Sequence, residues 1–480
     1  MNRQIRRVGI VLMVLFGALF LQLNYLQVIR ADDLANDPRN TRVAVRDFSR
    51  ARGQIVSADG TVIAKSVPVN DAFEVQRQYP EGELFGHITG FFSFTYGATG
   101  VERTYSDELA GRDLGIKNLK DVLVERTVTG DVVLNIDKGL QQLARDRLGN
   151  RRGAVVALDP TTGAILAMWS FPSADPNPLA GHDQKAVRTA YEQLTADPSK
   201  PLLARTYRET YAPGSTFKVV TAAAALERNP EVAGRAYPPL RELQLPRTRS
   251  KLPNFGGGTC GGGLADLLRV SCNTGFGQMG IDLGADSLFG EAVDFGFNER
   301  PPIDLPAAVA SGFPEPEDFK QNEAALAKSA IGQENVRSTP LQMALVAAAV
   351  TNGGTVMRPQ VMREVKDSEG ALVRTSEPQA WKQAVSPEVA GQLRDLMINV
   401  VTSGTGRAAQ VPNAVVGGKT GTAQTVGDNA HAWFIGFGEG NGKKVAVSVI
   451  VESQPEVGEA TGGRVAAPIA QAVMRAALGL

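Results

Sequence analysis

Cysteine and histidine are almost absent from this chain of 480 residues, which holds two of the first and three of the second. Cys260 and Cys272 are too few for a disulfide framework, and no Cys/His cluster has the spacing of a structural zinc site. No metal and no other cofactor is expected. His87, His182 and His431 fall in no nucleophile-elbow or triad sequence, so a Ser-His-Asp mechanism is disfavoured and they read as surface or turn residues. Net charge is missing too. Lys plus Arg total 50 and Asp plus Glu total 50, so no strong field draws nucleic acid, and partners have to be read from sites. Internal repeats and long low-complexity tracts are lacking. With 43% hydrophobic and 21% charged residues, the chain can bury a sizeable core and is long enough for two or more domains.

One long apolar run is present, at the start. Arg3, Arg6 and Arg7 precede a stretch over residues 8–29 that is interrupted only by Gln22, Asn24 and Gln27 among its polar side chains. A cleaved signal peptide would end sooner, at small residues, whereas Leu23, Tyr25, Leu26 and Val28 prolong this one to about spanning length. It reads as an uncleaved anchor in the cytoplasmic membrane. The arginines keep residues 1–7 in the cytoplasm and put the chain beyond about Ala31 outside.

Residues 30–148 read as a small domain without enzymatic residues. Ile55 and Val56, then Val62 and Ile63, flank an Asp59-Gly60 turn, the pattern of a β-hairpin. Short glycine-rich elements follow, and a linker strand ending at Ile136 leads into a helix whose apolar face carries Leu140, Leu143, Ala144 and Leu148. From residue 149 to 480 the texture changes. Ala154 to Leu158 and Ala164 to Trp169 form two apolar strands, Ala432 to Phe437 and Val445 to Val451 two more, and Ala467 to Leu478 a closing helix. Helical patterns near Phe217 to Leu226, Leu341 to Val350 and Pro387 to Val400 lie between, the last with Ser386 as N-cap. Strands at both ends with helices between predict an α+β or α/β domain whose sheet recruits both its termini. Met168, Trp169 and Trp433 sit in those strands as core.

Three local patterns carry chemistry. Pro213 and Gly214 break the chain before Ser215, and Lys218 lies one turn further along an apolar helix, so both side chains share a face and can touch. Burial against that helix would lower the lysine's pKa and leave a neutral amine to take the serine's proton. Alone, Ser-x-x-Lys arises by chance on the order of once in such a chain, and its bland reading is a capped helix with an exposed lysine. Ser271 and Asn273, two residues apart, can both point into one cleft while Cys272 turns away; the bland reading is an N-cap or surface turn. Lys419, Thr420, Gly421 and Thr422 form an extended segment before the last strands, otherwise an ordinary glycine-rich turn. Their occurrence once each, in this order, in one exported domain is what composition does not explain.

Ser215 with Lys218, Ser271 with Asn273, and Lys419 with Thr420 and Gly421 resemble the three active-site motifs of penicillin-binding proteins and serine β-lactamases. Tyr211, Gln333, Asn352 and Trp433 in their surroundings, and Arg52-Gly53, Asp59-Gly60 and Glu102 in the N-terminal half, narrow the resemblance to class B penicillin-binding proteins. The likeness runs from the anchor to the last helix, and the domain at 30–148 is similar to the pedestal of the actinobacterial members. The resemblance implies an α+β transpeptidase domain at 149–480, with a central antiparallel sheet flanked by helices and an all-helical lobe, standing on a small β-rich pedestal. It implies a serine-type peptidoglycan D,D-transpeptidase of growth or division. Ser215 would attack the D-alanyl carbonyl of a stem peptide with Lys218 as base, and the N–H groups of Ser215 and Thr422 would form the oxyanion hole. Ser271 would relay a proton, Asn273 hold the donor amide, Lys419 position Ser271, and Thr420, Gly421 and Thr422 bind the terminal carboxylate. β-Lactams would acylate Ser215. Partners implied are the lipid-linked precursor polymer, a membrane glycosyltransferase and other wall-synthesis proteins, since no acid pair of a glycosyltransferase domain is found here.

A β-lactamase or D,D-carboxypeptidase would share the acyl-enzyme, and a non-catalytic scaffold would share the fold. Cys260 and Cys272 either pair, tying the Ser271 loop on the oxidising side of the membrane, or stay free. What decides is whether their Cα atoms come within about 7 Å.

Overall fold

The computed structural model describes residues 2–26, 48–112, 129–424, 430–453 and 461–480, which fall into two compact units. The smaller comprises Met1–Ala51 and Val67–Gln76. Its main element is the helix Asn2–Asn24. Leu12, Phe16 and Phe20 stand exposed along it, and Arg3–Asn24 is long and apolar enough to cross a membrane. The helix begins at Asn2 rather than at residue 8, because arginine is itself a good helix former. Residues 27–29 of the expected anchor lie outside the described residues.

The larger unit comprises Arg52–Ser66 and Arg77–Leu480. Its main sheet is five-stranded and antiparallel, in the order Val415–Gln424, Ala430–Gly440, Lys443–Val451, Gly153–Leu158, Ile165–Phe171. The register pairs Thr420 with Phe434 and Ser448 with Val156. The first-read strands thus sit beside the last-read ones, as the sequence pattern predicts. The two faces are covered differently. Thr351, ending the helix Pro340–Thr351, donates its hydroxyl to Glu439, whereas the neighbouring Gly438 faces Met474 and Leu478 at the end of the helix Ala467–Ala477. Adjacent strand residues point to opposite faces, so these helices lie on opposite sides. Pro340–Thr351 is buried along its whole length, which its all-apolar stretch from Met343 to Val350, broken by no charge, requires. Pro387–Ser403 packs against it, Lys218–Arg228 against Pro387–Ser403, and Asn273–Leu283 against Lys218–Arg228; Pro387–Ser403 is capped by Ser386 accepting from the Val389 N–H.

Five strands of a second, six-stranded sheet run in the order Leu372–Thr375, Met362–Asp367, Gly130–Leu134, Ile55–Val56, Val62–Pro68. Ile55 lies parallel to Val132 and antiparallel to Ala64, and Val365 lies antiparallel to Val132. The hairpin formed by the first two strands comes from the middle of the stretch assigned from sequence to 149–480. It completes a sheet begun some way before residue 149. Behind this sheet Glu102 is fully buried between Arg52, 3.0 Å from one carboxylate oxygen, and Arg77, 2.6 Å from the other. Both guanidiniums also donate to backbone carbonyls, Arg52 to Glu102 O and Arg77 to Arg52 O and Gly53 O. Ample hydrogen bonding of this kind is what allows ions to be buried.

Candidate active site

Ser215 sits in a single 3-10 turn, Gly214–Thr216, that runs into the helix Lys218–Arg228. The turn is riveted from several directions. Tyr211 exchanges both backbone hydrogen bonds with Ser338, the Gly214 N–H donates to Gly332 O, and the Trp433 indole donates to Ala212 O. Below it, the Tyr211 hydroxyl donates to Glu452, which is held in turn by Arg205 at 2.8 Å and Arg152 at 3.0 Å. Gly214 has φ +54, and a Cβ there would lie 3.1 Å from the Cβ of Ala423. Only glycine takes that conformation without strain and lets the edge strand approach the nucleophile.

Lys218 is fully buried. Its Nζ donates to Ser271 O at 2.8 Å and to Asn273 Oδ1 at 2.7 Å, and lies 3.3 Å from Ser271 Oγ. Lys419, also fully buried, donates to the same Ser271 Oγ at 2.8 Å and to Thr420 O at 2.9 Å. No carboxylate pairs with either amine among the described residues. Burial, reinforced by the neighbouring Lys419, holds the Lys218 amine well below its ordinary pKa, and burial brings Lys419 down to about 7. A neutral Lys218 fits its surroundings: two N–H bonds serve Ser271 O and Asn273 Oδ1, and the lone pair is left for a hydroxyl proton.

Ser271 is placed between the amines by an uncommon backbone. It has φ +61 and ψ 44 and caps the helix Leu264–Val270, its N–H returning to Leu268 O and that of Cys272 to Leu267 O. A left-handed serine costs of the order of 1–3 kcal/mol, and such residues gather at functional sites. Cys272 turns away into the interior and is bonded to Cys260, with Cα atoms 5.8 Å apart, which settles the alternatives that the sequence leaves open. Asn273 begins the helix Asn273–Leu283 and donates its Nδ2 to Pro253 O at 2.9 Å.

Thr420, Gly421 and Thr422 lie on Val415–Gln424, an edge strand paired on one side only, so alternate N–H groups along it face away from the sheet. Thr420 Oγ1 is 2.6 Å from Thr405 Oγ1. Ser215, Ser271, Asn273, Thr420 and Thr422 line a cleft of about 1520 Å³, together with the exposed ring of Phe255.

The ten residues singled out from sequence are therefore together, with two differences in detail among them and a third at His431. Among the described residues the Ser215 hydroxyl has no hydrogen-bond partner, so the direct contact with Lys218 is not formed; the amine is drawn to stronger acceptors on Ser271 and Asn273. The Asn273 amide is engaged at both ends within the protein. His431 is not in a surface turn: it lies in the strand Ala430–Gly440, accepts the Ser453 N–H at 2.9 Å and packs edge-on against Tyr211. Met168, Trp169 and Trp433 are core, as read. Asn254, Thr405, Arg205 and Glu452 were not singled out from sequence. Only Thr405, between Gly404 and Gly406 after a helix end, carries a local signal.

Residues 153–475 match the family described as penicillin binding protein transpeptidase domain, and residues 52–133 that described as penicillin binding protein A dimerisation domain. The chain is 42% identical to peptidoglycan D,D-transpeptidase PbpA of Mycolicibacterium smegmatis, over 100% of this chain and 99% of that one. It is 39% identical, with the same coverage, to PbpA of Mycobacterium tuberculosis. Among solved structures, the ceftriaxone acyl-enzyme complex of penicillin-binding protein A from M. tuberculosis is similar with a TM-score of 0.82 at 37% identity, covering 90% of this chain and 100% of that one.

Proposed function

This chain belongs to the penicillin-binding protein transpeptidases, and from that premise we propose that it is a peptidoglycan D,D-transpeptidase in which Ser215 carries the acyl group and Lys218 moves the proton. The observation that carries the reading is the pair of buried amines that share Ser271 and meet no carboxylate among the described residues, Lys218 one helical turn from Ser215 and Lys419 on the edge strand. Donor binding excludes water and turns the Ser215 hydroxyl toward the amine of Lys218. The lone pair accepts the proton as Oγ attacks the D-alanyl carbonyl, and the N–H groups of Ser215 and Thr422 stabilise the oxyanion, each worth about 3 kcal/mol. Collapse breaks the peptide bond. The proton passes from Lys218 through Ser271 to the departing D-alanine amine, Lys419 holding Ser271 Oγ in line. An amine of a second stem peptide then gives its proton back along the same path and takes the acyl group, forming the cross-link.

Thr420 and Thr422 bind the donor carboxylate, with Gly421 leaving room for the strand to approach. Asn273 presents what remains of its amide donors to the donor peptide while steadying Lys218. Residues 149–480 act as the catalytic domain and residues 30–148 as pedestal, the latter sharing a sheet with the Met362–Thr375 hairpin. With Arg3, Arg6 and Arg7 kept inside, the apolar helix anchors a single-pass protein whose catalytic domain faces outward. There it meets strands polymerised by a separate membrane glycosyltransferase.

Labelled benzylpenicillin applied to the full chain in detergent tests the reading. Stable acylation of wild type and none of Ser215→Ala is expected, together with cross-linked dimers from a stem-peptide donor and an amine acceptor. Rapid turnover of penicillin would make the chain a β-lactamase, and release of D-alanine without cross-links a carboxypeptidase. Growth support by Ser215→Ala in a depleted strain would make it a scaffold.

A further inference from the structure

The helix Asn273–Leu283 starts at Cys272, whose side chain supplies no cap. Its first N–H groups would be left without acceptors next to the catalytic amines. A residue distant in sequence meets them: Asn254 Oδ1 accepts from the N–H of Asn273 and of Thr274, at 3.0 Å each. Asn254 Nδ2 donates to Leu240 O at 2.8 Å and Gly258 O at 3.0 Å. All the bonding capacity of this carboxamide is spent, and the residue is 7% exposed. The adjacent Pro253 carbonyl accepts Asn273 Nδ2, so the amide of Asn273 can present only its oxygen to Lys218.

We propose that Asn254 is a positioning residue of the acylation step: by holding the first turn of this helix and seating Pro253 beneath it, it fixes the acceptor that keeps the Lys218 amine in place. The disulfide from Cys260 to Cys272 ties the same segment covalently, but a tether limits only how far the strands separate. Orientation of the Asn273 amide comes from the two hydrogen-bonded contacts. The exposed Phe255 and the left-handed Gly256 and Gly257 follow at once, and the Gly257 N–H returns to Asn254 O while Asn254 Nδ2 reaches Gly258 O, so Asn254 also anchors the loop beyond it.

This inference rests on the acyl-enzyme reading above, and wild type in the same assay separates the two. Lys218 faces Lys419 from the edge strand, the neutral Ser271 and Asn273 from the opposite side, and the ring of Phe276 at 5.5 Å; no acid faces it among the described residues. Asn254→Asp keeps the acceptor for both N–H groups, gives up the two Nδ2 bonds to Leu240 O and Gly258 O, and adds a negative charge behind Asn273. A negative charge there favours the ammonium form of Lys218, so the acidic limb of the rate profile moves to higher pH, by about one pH unit. Asn254→Ala leaves the N–H groups of Asn273 and Thr274 unmet and is expected to slow acylation by at least about tenfold.

The experiment is the second-order rate of acylation of the full-length protein by labelled benzylpenicillin, from pH 5 to pH 9, for wild type and both variants. A purely structural role would lower the melting temperature and scale the profile without moving it. Asn254→Ala within about twofold of wild type, or an Asn254→Asp profile with its acidic limb unmoved, overturns the proposal. If Asn254→Ala does not fold, the position of the Asn254→Asp limb decides alone. Failure of wild type to acylate overturns the proposed function instead.

Discussion

Two of the clusters that bury cations among the described residues treat them in opposite ways. Behind the N-terminal sheet, Arg52 and Arg77 clasp Glu102, whose carboxyl is held below its ordinary range by the two guanidiniums despite the burial that opposes them. In the cleft, Lys218 and Lys419 hydrogen-bond to hydroxyl, amide and carbonyl groups and to no carboxylate among the described residues. The first arrangement keeps charge by pairing it and serves only to fix the fold. The second sheds charge, and the price is stability that a paired or apolar site would have retained. Residue type follows from this: arginine cannot give up its proton in a protein, and lysine can.

The comparison is tested most severely by removing the base. Lys218→Met is expected to lower the penicillin acylation rate by about 10²–10⁴-fold, while raising the melting temperature, because a well-packed apolar chain replaces a buried amine. A melting temperature that falls would mean that the amine stabilises the fold after all. Next comes Glu102→Gln, which leaves two buried guanidiniums uncompensated. A loss of about 3–5 kcal/mol in urea unfolding is expected, with the acylation rate of the folded fraction unchanged.

The pH dependence of stability should separate the two clusters further. Lys419 has a folded pKa of about 7 against an ordinary 10.5. Between those values the unfolded chain holds a proton that the folded chain does not, so stability rises with pH across that window and is flat below it. Glu102 runs the other way. Its folded pKa lies below 4.5, so its contribution is present above the unfolded value and is lost as pH falls through the folded one. Melting curves of Lys419→Met should show a shallower slope on the alkaline side, where Lys218 keeps its own share, and those of Glu102→Gln a shallower slope on the acid side. The smallest effect expected is for Phe92→Leu. It removes the ring whose centroid lies 4.2 Å from the Arg52 guanidinium carbon, and should cost about 0.5–1 kcal/mol.

Much of the cleft is legible in the sequence because its members come in short local groups. Lys218 follows Ser215 by one turn, Ser271 and Asn273 flank a cysteine that points inward, and Thr420 to Thr422 follow Lys419 on one strand. Helix and strand geometry alone relate the members within each group. The relations between groups are not local. Which oxygen Lys218 finds, that Asn254 caps a helix nineteen positions on, and that Glu452 reaches Tyr211 across 241 positions follow from packing, which no spacing rule contains. The same holds for the fold. The strands at 153–158 and 445–451 announce themselves as largely apolar runs, whereas four of the six residues of Met362–Asp367 are charged and it is held as a strand by Gly130–Leu134 and Leu372–Thr375 on either side.

That pairing also sets an order of events at birth. The ribosome delivers Gly130–Leu134 long before Met362–Asp367, so for the intervening synthesis one flank of the young sheet, with the side chains of Val132 and Leu134 that end fully covered, lacks its neighbour. An uncovered strand flank is an invitation to aggregation, and closing a loop of this length is slow. The nascent chain has to be chaperoned, or kept stretched in transit, until its last third arrives, and a ribosome stalled before residue 362 would release a chain whose first sheet cannot be finished.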